Sequence, residues 1–247
     1  MNKEIKEKVR EHAQSEAPRE ACGLIACDMK TGKVTVFPCE NAAQDKLKKF
    51  HITTEEFLEC RKAYGEIITV YHSHVNPELG GRVGFSHEDV EMCNECLIPF
   101  LLYSMPEDSF EFLEPEGYKP KDIVGRPFIR GFWDCYTACR DYYKVKHGVN
   151  LRYYFPPEDD ALDDYDHFED NFEKEGFSRI DFADAKKGDA MLFKIGKSKT
   201  INHAAIFLGG SRILHHGVGS KACVIDMDHR LMKYSYIVVR HRDINHG

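Results

Sequence analysis

The sequence has no stretch that approaches the roughly 20 consecutive apolar residues needed by a membrane-spanning helix. Its first 20 residues are polar and charged, so no secretory signal peptide is expected. An excess of positive charge is also missing, because 34 Lys and Arg against 41 Asp and Glu give a net charge of −7. A general nucleic-acid binder normally presents a basic surface. We therefore expect neither a nucleic-acid partner nor a membrane span.

The nine cysteines do not indicate a disulfide framework. Their number is odd, and a chain of 247 residues can bury a core without covalent staples. We expect reduced thiols made in a cytoplasm, most of them buried as small apolar side chains. With 42% hydrophobic and 30% charged residues, the composition is that of a folded globular protein with one large domain or two small ones.

Patterns typical of helices and strands alternate with short connections in the first part of the chain, which favours a mixed α/β domain. They predict helices over 1–15, 53–64 and 86–96 and strands over 21–27, 34–37, 66–72 and 98–103. Four prolines then accumulate between residues 105 and 127. Because prolines interrupt regular structure, we expect the first domain to cover 1–108 and a linker to cover 109–126.

The remaining residues, 127–247, predict a second domain of the α+β type. A helix over 135–146 precedes short strand-like segments at 190–195, 203–208, 212–215, 222–226 and 236–240, separated by glycine turns. This order favours a helix packed on a small antiparallel sheet. The stretch 158–175 contains ten acidic residues and a single lysine, and is either a solvated face or a surface for a partner.

Two histidines and an aspartate form a candidate metal site in the first domain. His72 and His74 end an apolar strand, where residues i and i+2 share a face. Asp89, in the first turn of the next helix, can add an oxygen ligand. Two His, one carboxylate and an open position are typical of a catalytic zinc site. Glu20, beside the apolar run 21–27, is the candidate general base.

This set resembles the JAMM (MPN-type) metallopeptidase domain in the segment Glu20 to Leu24, then His72-Ser73-His74, then Ser86-x-x-Asp89. The resemblance implies that His72, His74 and Asp89 bind Zn²⁺. It also implies that Glu20 acts as the general base and that Ser86 helps to stabilise the tetrahedral intermediate. Ser86-x-x-Asp89 is also a capping box, and the two roles are compatible. The segment between His74 and Ser86 is longer than usual in the family, which would shift Asp89.

The second domain contains a candidate nucleophilic cysteine. Asp134 is a natural N-cap, and Cys135 then opens the predicted helix. A thiol there feels the positive end of the helix dipole, so we expect its pKa to fall. His203 at the start of a strand is the candidate base, and His215 or His216 on the adjacent strand would fix its ring and tautomer.

These residues resemble the NlpC-type cysteine peptidase domain, whose fold is papain-like and many of whose members cut the peptide stems of bacterial peptidoglycan. The matches are Asp134-Cys135 at the helix start, Gly188-Asp189 before a strand, His203 on the next strand and His215 after it. The resemblance implies that Cys135 is the nucleophile, His203 the base and His215 the residue that orients it.

Three other cysteines have spacings that suggest chemistry, but we expect them to be structural. Cys93-x-x-Cys96 lacks the second such pair of a typical zinc site. Cys139 lies one turn after Cys135 on the same helix face, where packing between helix and core is the simpler role.

In combination, the two domains resemble the tail assembly proteins of long-tailed bacteriophages, with specific similarity in the segments 124–136 and 140–143. The resemblance implies a peptidase of the virion tail tip, made in the host cytoplasm, which contacts other tail-tip proteins. Its thiol hydrolase domain would cut peptidoglycan peptides during cell entry, and its first domain would be a zinc-dependent peptidase or isopeptidase. The alternative is a structural component of tail assembly with vestigial active sites.

Overall fold

The computed structural model describes residues 2–75, 84–156, 166–228 and 231–244. The chain divides into two compact units, residues 2–119 and 120–247. Each unit contains one sheet among the residues described. No helix within these ranges is both long enough and apolar enough to cross a membrane.

The first unit is a mixed α/β domain, as predicted. Its helices are α1 (Lys3–Glu16), α2 (Thr54–Tyr64) and α3 (His87–Cys96), and its strands are β1 (Cys22–Cys27), β2 (Val34–Cys39), β3 (Glu66–His74), β4 (Phe100–Ser104) and β5 (Ser109–Leu113). The strand order is β2-β1-β3-β4-β5. Strands β3 and β4 are parallel, and the other neighbours are antiparallel.

Close packing around β1 connects the sheet to the first helix. All six residues of β1 are buried. A Cβ atom on Gly23 would lie 2.5 Å from the Tyr71 ring and 2.5 Å from the carbonyl oxygen of Phe37, so only glycine fits here. On the other side of this contact, a ring nitrogen of His12 in α1 hydrogen-bonds the Tyr71 hydroxyl at 2.9 Å. This packing places the end of β3, with its two histidines, beside residues 20–22.

The predicted linker, residues 109–126, begins too early. Ser109–Leu113 is β5, which pairs with β4 along its whole length. Phe110 of this edge strand stacks on Tyr103 with ring centroids 4.8 Å apart. The prolines that suggested a linker therefore flank a strand that completes the first sheet. At the other end of the predicted linker, Arg126 is buried in the second unit.

The second unit is an α+β domain, again as predicted. Its described residues contain α4 (Cys135–His147), the short 3-10 helices Phe182–Asp184 and Leu231–Lys233, and the strands β6 (Phe177–Ile180), β7 (Ala190–Lys194), β8 (His203–Phe207), β9 (Arg212–His215), β10 (Cys223–Asp226) and β11 (Ser235–His241). The strand order is β10-β9-β8-β7-β11-β6, and every neighbouring pair is antiparallel.

Alternation along β7 separates two apolar clusters on the two faces of this sheet. Leu192 belongs to the cluster that contains Tyr143 of α4, whereas Met191 and Phe193 belong to the other cluster. Helix α4 packs against β8 and β9. The start of the helix is thereby brought to the strands that carry the candidate base and its orienting residue.

The acidic stretch 158–175 is only partly described, because residues 158–165 lie outside the described ranges. In the remainder, the Glu175 carboxylate accepts hydrogen bonds from the Tyr154 hydroxyl at 2.7 Å and from the backbone N–H of Arg152 at 2.9 Å. Glu175 therefore holds the segment that follows α4, in addition to contributing negative charge.

Candidate active sites

The structure brings His72, His74 and Asp89 together at the end of β3. His72 Nε2 lies 3.3 Å from Asp89 Oδ1, and His74 Nε2 lies 3.6 Å from Asp89 Oδ2. One ligand atom from each residue lies within 4.8 Å of the other two, and all three residues are buried. Among the residues described, no other three His, Cys, Asp or Glu side chains come as close together. Cys93 and Cys96 therefore belong to no such group.

The three side chains fit a metal ion. His72 is completely buried and stacks on Phe50 with ring centroids 4.5 Å apart. Its Nδ1 has no hydrogen-bond partner in the described part of the chain. Two imidazoles and one carboxylate are a donor set that zinc accepts, and three protein ligands leave a position open. A buried imidazole nitrogen without a hydrogen-bond partner is typical of a histidine that binds a metal ion.

A capping box holds Asp89 in position. The Ser86 hydroxyl accepts the backbone N–H of Asp89 at 3.1 Å, and Asp89 Oδ2 accepts the backbone N–H of Ser86 at 2.7 Å. This reciprocal pair fixes the first turn of α3 and leaves Asp89 Oδ1 directed at His72. Asp89 is therefore not displaced from the histidines by the longer segment before it, most of which, residues 76–83, lies outside the described ranges. Ser86 acts on the site through Asp89, and its direct catalytic role stays a prediction.

Glu20 lies next to the three candidate ligands. Its Oε1 is 3.9 Å from His74 Nε2, and its side chain is buried. The Asn41 side chain donates a hydrogen bond to the Glu20 carbonyl at 2.9 Å. Ser73 Oγ accepts the backbone N–H of the next residue, Ala21, at 2.9 Å. Asn41 was not singled out from the sequence, where it has no signal beyond being a polar loop residue.

Burial controls the proton affinities in this cluster. It raises the pKa of Glu20 to about 7, since desolvation outweighs the nearby His74. Desolvation would also raise the pKa of Asp89, but hydrogen bonds from His72, His74 and Ser86 outweigh it and hold that pKa well below the usual range. Burial lowers the pKa of His72, which favours the neutral, metal-binding imidazole.

Cys135 is the first residue of α4, as predicted. Asp134 caps this helix: its Oδ1 accepts the backbone N–H of Thr137 at 2.9 Å. Asp134 Oδ2 accepts the backbone N–H of Gly131 at 2.8 Å. The turn before the helix and its first turn are thus held by one carboxylate.

The structure places Cys135 against the strand of the candidate base. The Cys135 sulfur interacts with the backbone N–H of Ala204, the residue that follows His203 in β8. His203 is buried, and its Nε2 has no hydrogen-bond partner among the described residues. This nitrogen is available for a proton from a thiol or a substrate.

His215 lies beside His203, where the sequence predicts the orienting residue. In the sheet His215 pairs with Ala205, and its ring meets that of His203 edge to face with centroids 5.5 Å apart. The neighbouring His216 is buried and packs edge to face on Phe128 instead, with centroids 5.2 Å apart. The ring geometry therefore favours His215 over His216 as the third member of the site.

The predicted fall in the pKa of Cys135 is wrong for this structure. Desolvation and the Asp134 carboxylate raise it to about 12, although the backbone N–H groups of Ala204 and of the first helical residues act in the opposite direction. Desolvation, together with His215 and His216, lowers the pKa of His203 to about 3. The free protein thus holds a neutral Cys135 thiol and a neutral His203 imidazole. The helix dipole is present, but loss of water around the sulfur outweighs it.

Cys139 is buried in the core cluster of the second unit, which agrees with a structural role.

Two ion pairs of this unit were not predicted from the sequence. Arg240 donates to both carboxylate oxygens of the fully buried Asp189, at 2.9 and 2.7 Å, and so ties β11 to the start of β7. Arg126 pairs with Asp141 of α4 and lies over the Trp133 ring.

Family models match the two halves of the chain separately. Residues 2–113 match Prok-JAB, the prokaryotic homologs of the JAB domain, and residues 125–241 match the NlpC/P60 family. The JAB match ends at the last residue of β5, and the NlpC/P60 match contains Cys135, His203 and His215.

Two curated phage proteins are similar to this chain. The tail tip assembly protein K of Escherichia phage N15 is 28% identical over 236 residues, covering 94% of this chain and 92% of that protein. The protein of the same name from Escherichia phage lambda is 28% identical over 165 residues, covering 67% and 76%. A solved NLP/P60 family protein from Staphylococcus aureus is 20% identical and covers 50% of this chain and 38% of its own, with a TM-score of 0.36.

Proposed function

The chain joins a JAB-type domain to an NlpC/P60 domain, and we propose that it is a peptidase of a phage tail tip. In this proposal the second domain cuts peptidoglycan stem peptides during cell entry. The observation that carries it is that Cys135 begins a capped helix and interacts with the backbone of Ala204, while the ring of the preceding His203 meets that of His215. A thiol, a base and an orienting residue in this order are the parts of a cysteine hydrolase.

The reaction begins with Cys135 as a neutral thiol and His203 as a neutral imidazole. As Cys135 Sγ attacks the peptide carbonyl carbon, the thiol proton passes to His203, so that the S–C bond forms without a free thiolate in the resting protein. His203 then donates this proton to the leaving amine, and the C–N bond breaks. In the second half, His203 takes a proton from water, the hydroxide attacks the acyl carbon, and the S–C bond breaks as the proton returns to sulfur.

The helix start supplies the electrostatic part of this mechanism. The backbone N–H groups of Cys135 and Tyr136 lie near the sulfur and act to lower its pKa. They point from the positive end of the helix dipole to the place where negative charge develops. His215 holds the ring of His203 so that one nitrogen faces the reaction and the other is anchored.

For the first domain we propose a zinc-dependent peptidase or isopeptidase. His72, His74 and Asp89 would hold the ion, which when bound supplies a Lewis acid that polarises a carbonyl and acidifies water. Glu20 would hold and release the proton of the hydrolytic water, a role for which a pKa of about 7 is suited. Its substrate is either a tail protein processed during assembly or a cross-link in the cell wall.

The location at the tail tip rests on the relatives. Two proteins named tail tip assembly protein K share 28% identity with this chain, and one of them aligns with 94% of it. We propose that the chain is made in the host cytoplasm, contacts other tail-tip proteins and is carried in the virion tail.

The test is digestion of purified peptidoglycan by the full chain, with the released fragments identified by mass spectrometry. Wild type, Cys135→Ala and His74→Ala are compared, each checked for folding by circular dichroism. Cleavage by wild type and His74→Ala, but not by Cys135→Ala, supports wall hydrolysis by the second domain. If folded wild type releases nothing and phage assembly tolerates both substitutions, the structural alternative replaces the proposal.

A further inference from the structure

Three side chains form a row across the second sheet. In register, His215 of β9 lies between Ala205 of β8 and Cys223 of β10. Residues paired in register point to the same face, and His203 shares that face with Ala205 because they are two residues apart. The row therefore runs from His203 through His215 to Cys223. The Cys223 sulfur lies 3.7 Å from His215 Nε2.

The two ring nitrogens of His215 have different neighbours. Nε2 is taken by Cys223, which leaves Nδ1 for the side of the ring that meets His203. Burial lowers the pKa of both histidines, so both rings are neutral near pH 7, and a neutral imidazole donates from one nitrogen and accepts at the other. Nε2 of His203 has no hydrogen-bond partner among the described residues, so we assign it as the basic nitrogen and place the N–H on Nδ1.

We propose that Cys223 is a positioning residue that sets the tautomer of His215. Its sulfur accepts the Nε2–H of His215. The lone pair of His215 is then on Nδ1, where it can accept a hydrogen bond from the His203 ring, whose centroid lies 5.5 Å away. Sulfur is a weak hydrogen-bond acceptor. The alternative tautomer of His215, however, carries its hydrogen on Nδ1 and would place that N–H opposite the Nδ1–H of His203. The chain of contacts is thus one residue longer than the Cys135, His203 and His215 set.

The first test reads the tautomer directly and does not need an active enzyme. Long-range ¹⁵N–¹H spectra of the labelled full chain near pH 7 distinguish the two tautomers, and His215→Gln assigns the signal. We expect the Nε2–H form in wild type and in Cys223→Ser, whose hydroxyl also accepts, and a mixture or the Nδ1–H form in Cys223→Val. An Nδ1–H form in wild type, or an unchanged tautomer in Cys223→Val, overturns the proposal.

The second test rests on the proposed function of Cys135 and His203 and measures peptidoglycan hydrolysis. Cys223→Val should lower kcat roughly tenfold with little change in KM, as the loss of a hydrogen-bonding partner behind a functional histidine does elsewhere. Cys223→Ser should recover most of the loss. Val224→Thr, a change of equal size on the opposite, exposed face of β10, is the matched control.

The pH profile separates positioning from a general packing effect. The titratable groups that act on His203 are His215 on β9 and the following His216. In Cys223→Val, His215 no longer offers an acceptor at its Nδ1, and protonated His203 is less stable. The pKa of His203 therefore falls, and the acid limb of the kcat–pH profile moves to lower pH. An unmoved limb, or an unchanged kcat with an altered tautomer, refutes the positioning role. If the tautomers behave as expected but folded wild type cuts no peptidoglycan, the proposed function fails and the tautomer assignment stands.

Discussion

Replacing Asp134 with alanine should have two effects of different origin: a less stable second domain and a more acidic Cys135 thiol. The Asp134 carboxylate is 7% exposed. It accepts the N–H of Thr137 at 2.9 Å and the N–H of Gly131 at 2.8 Å. It also raises the pKa of Cys135 through its charge. It accepts a third hydrogen bond from the Thr137 hydroxyl at 3.2 Å, and the substitution removes all three together with the charge.

The stability loss follows from these hydrogen bonds. Loss of an N-cap side chain costs about 1 kcal/mol. Leaving the buried N–H of Gly131 without a partner adds about 1–3 kcal/mol. A total of about 2–4 kcal/mol, with a typical urea m-value of about 2 kcal/mol/M, moves the unfolding midpoint by about 1–2 M.

Asp134→Ser separates the two effects, because serine is also a good N-cap but carries no charge. We expect it to retain much of the stability lost in Asp134→Ala and to show the same acidification of the thiol. Urea unfolding measures the first effect. The pH dependence of iodoacetamide labelling, read at the Cys135 peptide by mass spectrometry, measures the second, and its midpoint should move to lower pH in both variants.

Two results would refute this reasoning. An unfolding midpoint in Asp134→Ala equal to that of wild type would mean that the cap and the Gly131 contact contribute nothing. A labelling midpoint that stays or rises in Asp134→Ser would mean that the Asp134 charge does not control the thiol. In that case burial alone would account for the neutral resting thiol of Cys135.

Three further predictions concern the cores and the metal site. Gly23→Ala should destabilise the first domain by about 1–3 kcal/mol in urea unfolding, because its Cβ meets Tyr71 at 2.5 Å; an unchanged midpoint would contradict the packing. Arg240→Gln should cost the second domain about 3 kcal/mol by removing the guanidinium from the buried Asp189 carboxylate, and Arg240→Lys should cost less. His72→Ala should abolish both zinc uptake and the rise in Tm expected on zinc binding. Zinc is measured by elemental analysis after chelation and reloading, and zinc retained by His72→Ala would exclude the site.

Local sequence patterns predicted much of the fold and the candidate sites. Strand alternation correctly placed His72 and His74 on one face, and the capping-box pattern placed Asp89 in the first turn of α3. The same kind of signal located Cys135 at the start of α4. Each of these inferences depends on neighbours within a few residues, and it is at this range that sequence patterns are informative.

The features that could not be predicted depend on contacts between distant segments. Asp189 and Arg240 are 51 residues apart in the chain, and only the folded sheet brings them together. The direction of the Cys135 pKa shift was wrong because the helix end is visible in the sequence, whereas the strand that removes water from the sulfur is not. Strand β5 was missed because the prolines around it dominated a segment whose alternating phenylalanines also signal a strand.

The turn between β8 and β9 limits which changes in chain length the second domain can accept. Gly209 and Gly210 both have positive φ, and this turn sets the register that pairs Ala205 with His215. Because side chains alternate along a strand, inserting or deleting a single residue there would rotate His215 to the opposite face. The sheet could still pair and the domain could still fold, yet the row of side chains would be broken. Length variation among related genes should therefore avoid this turn, even though it lies at the surface.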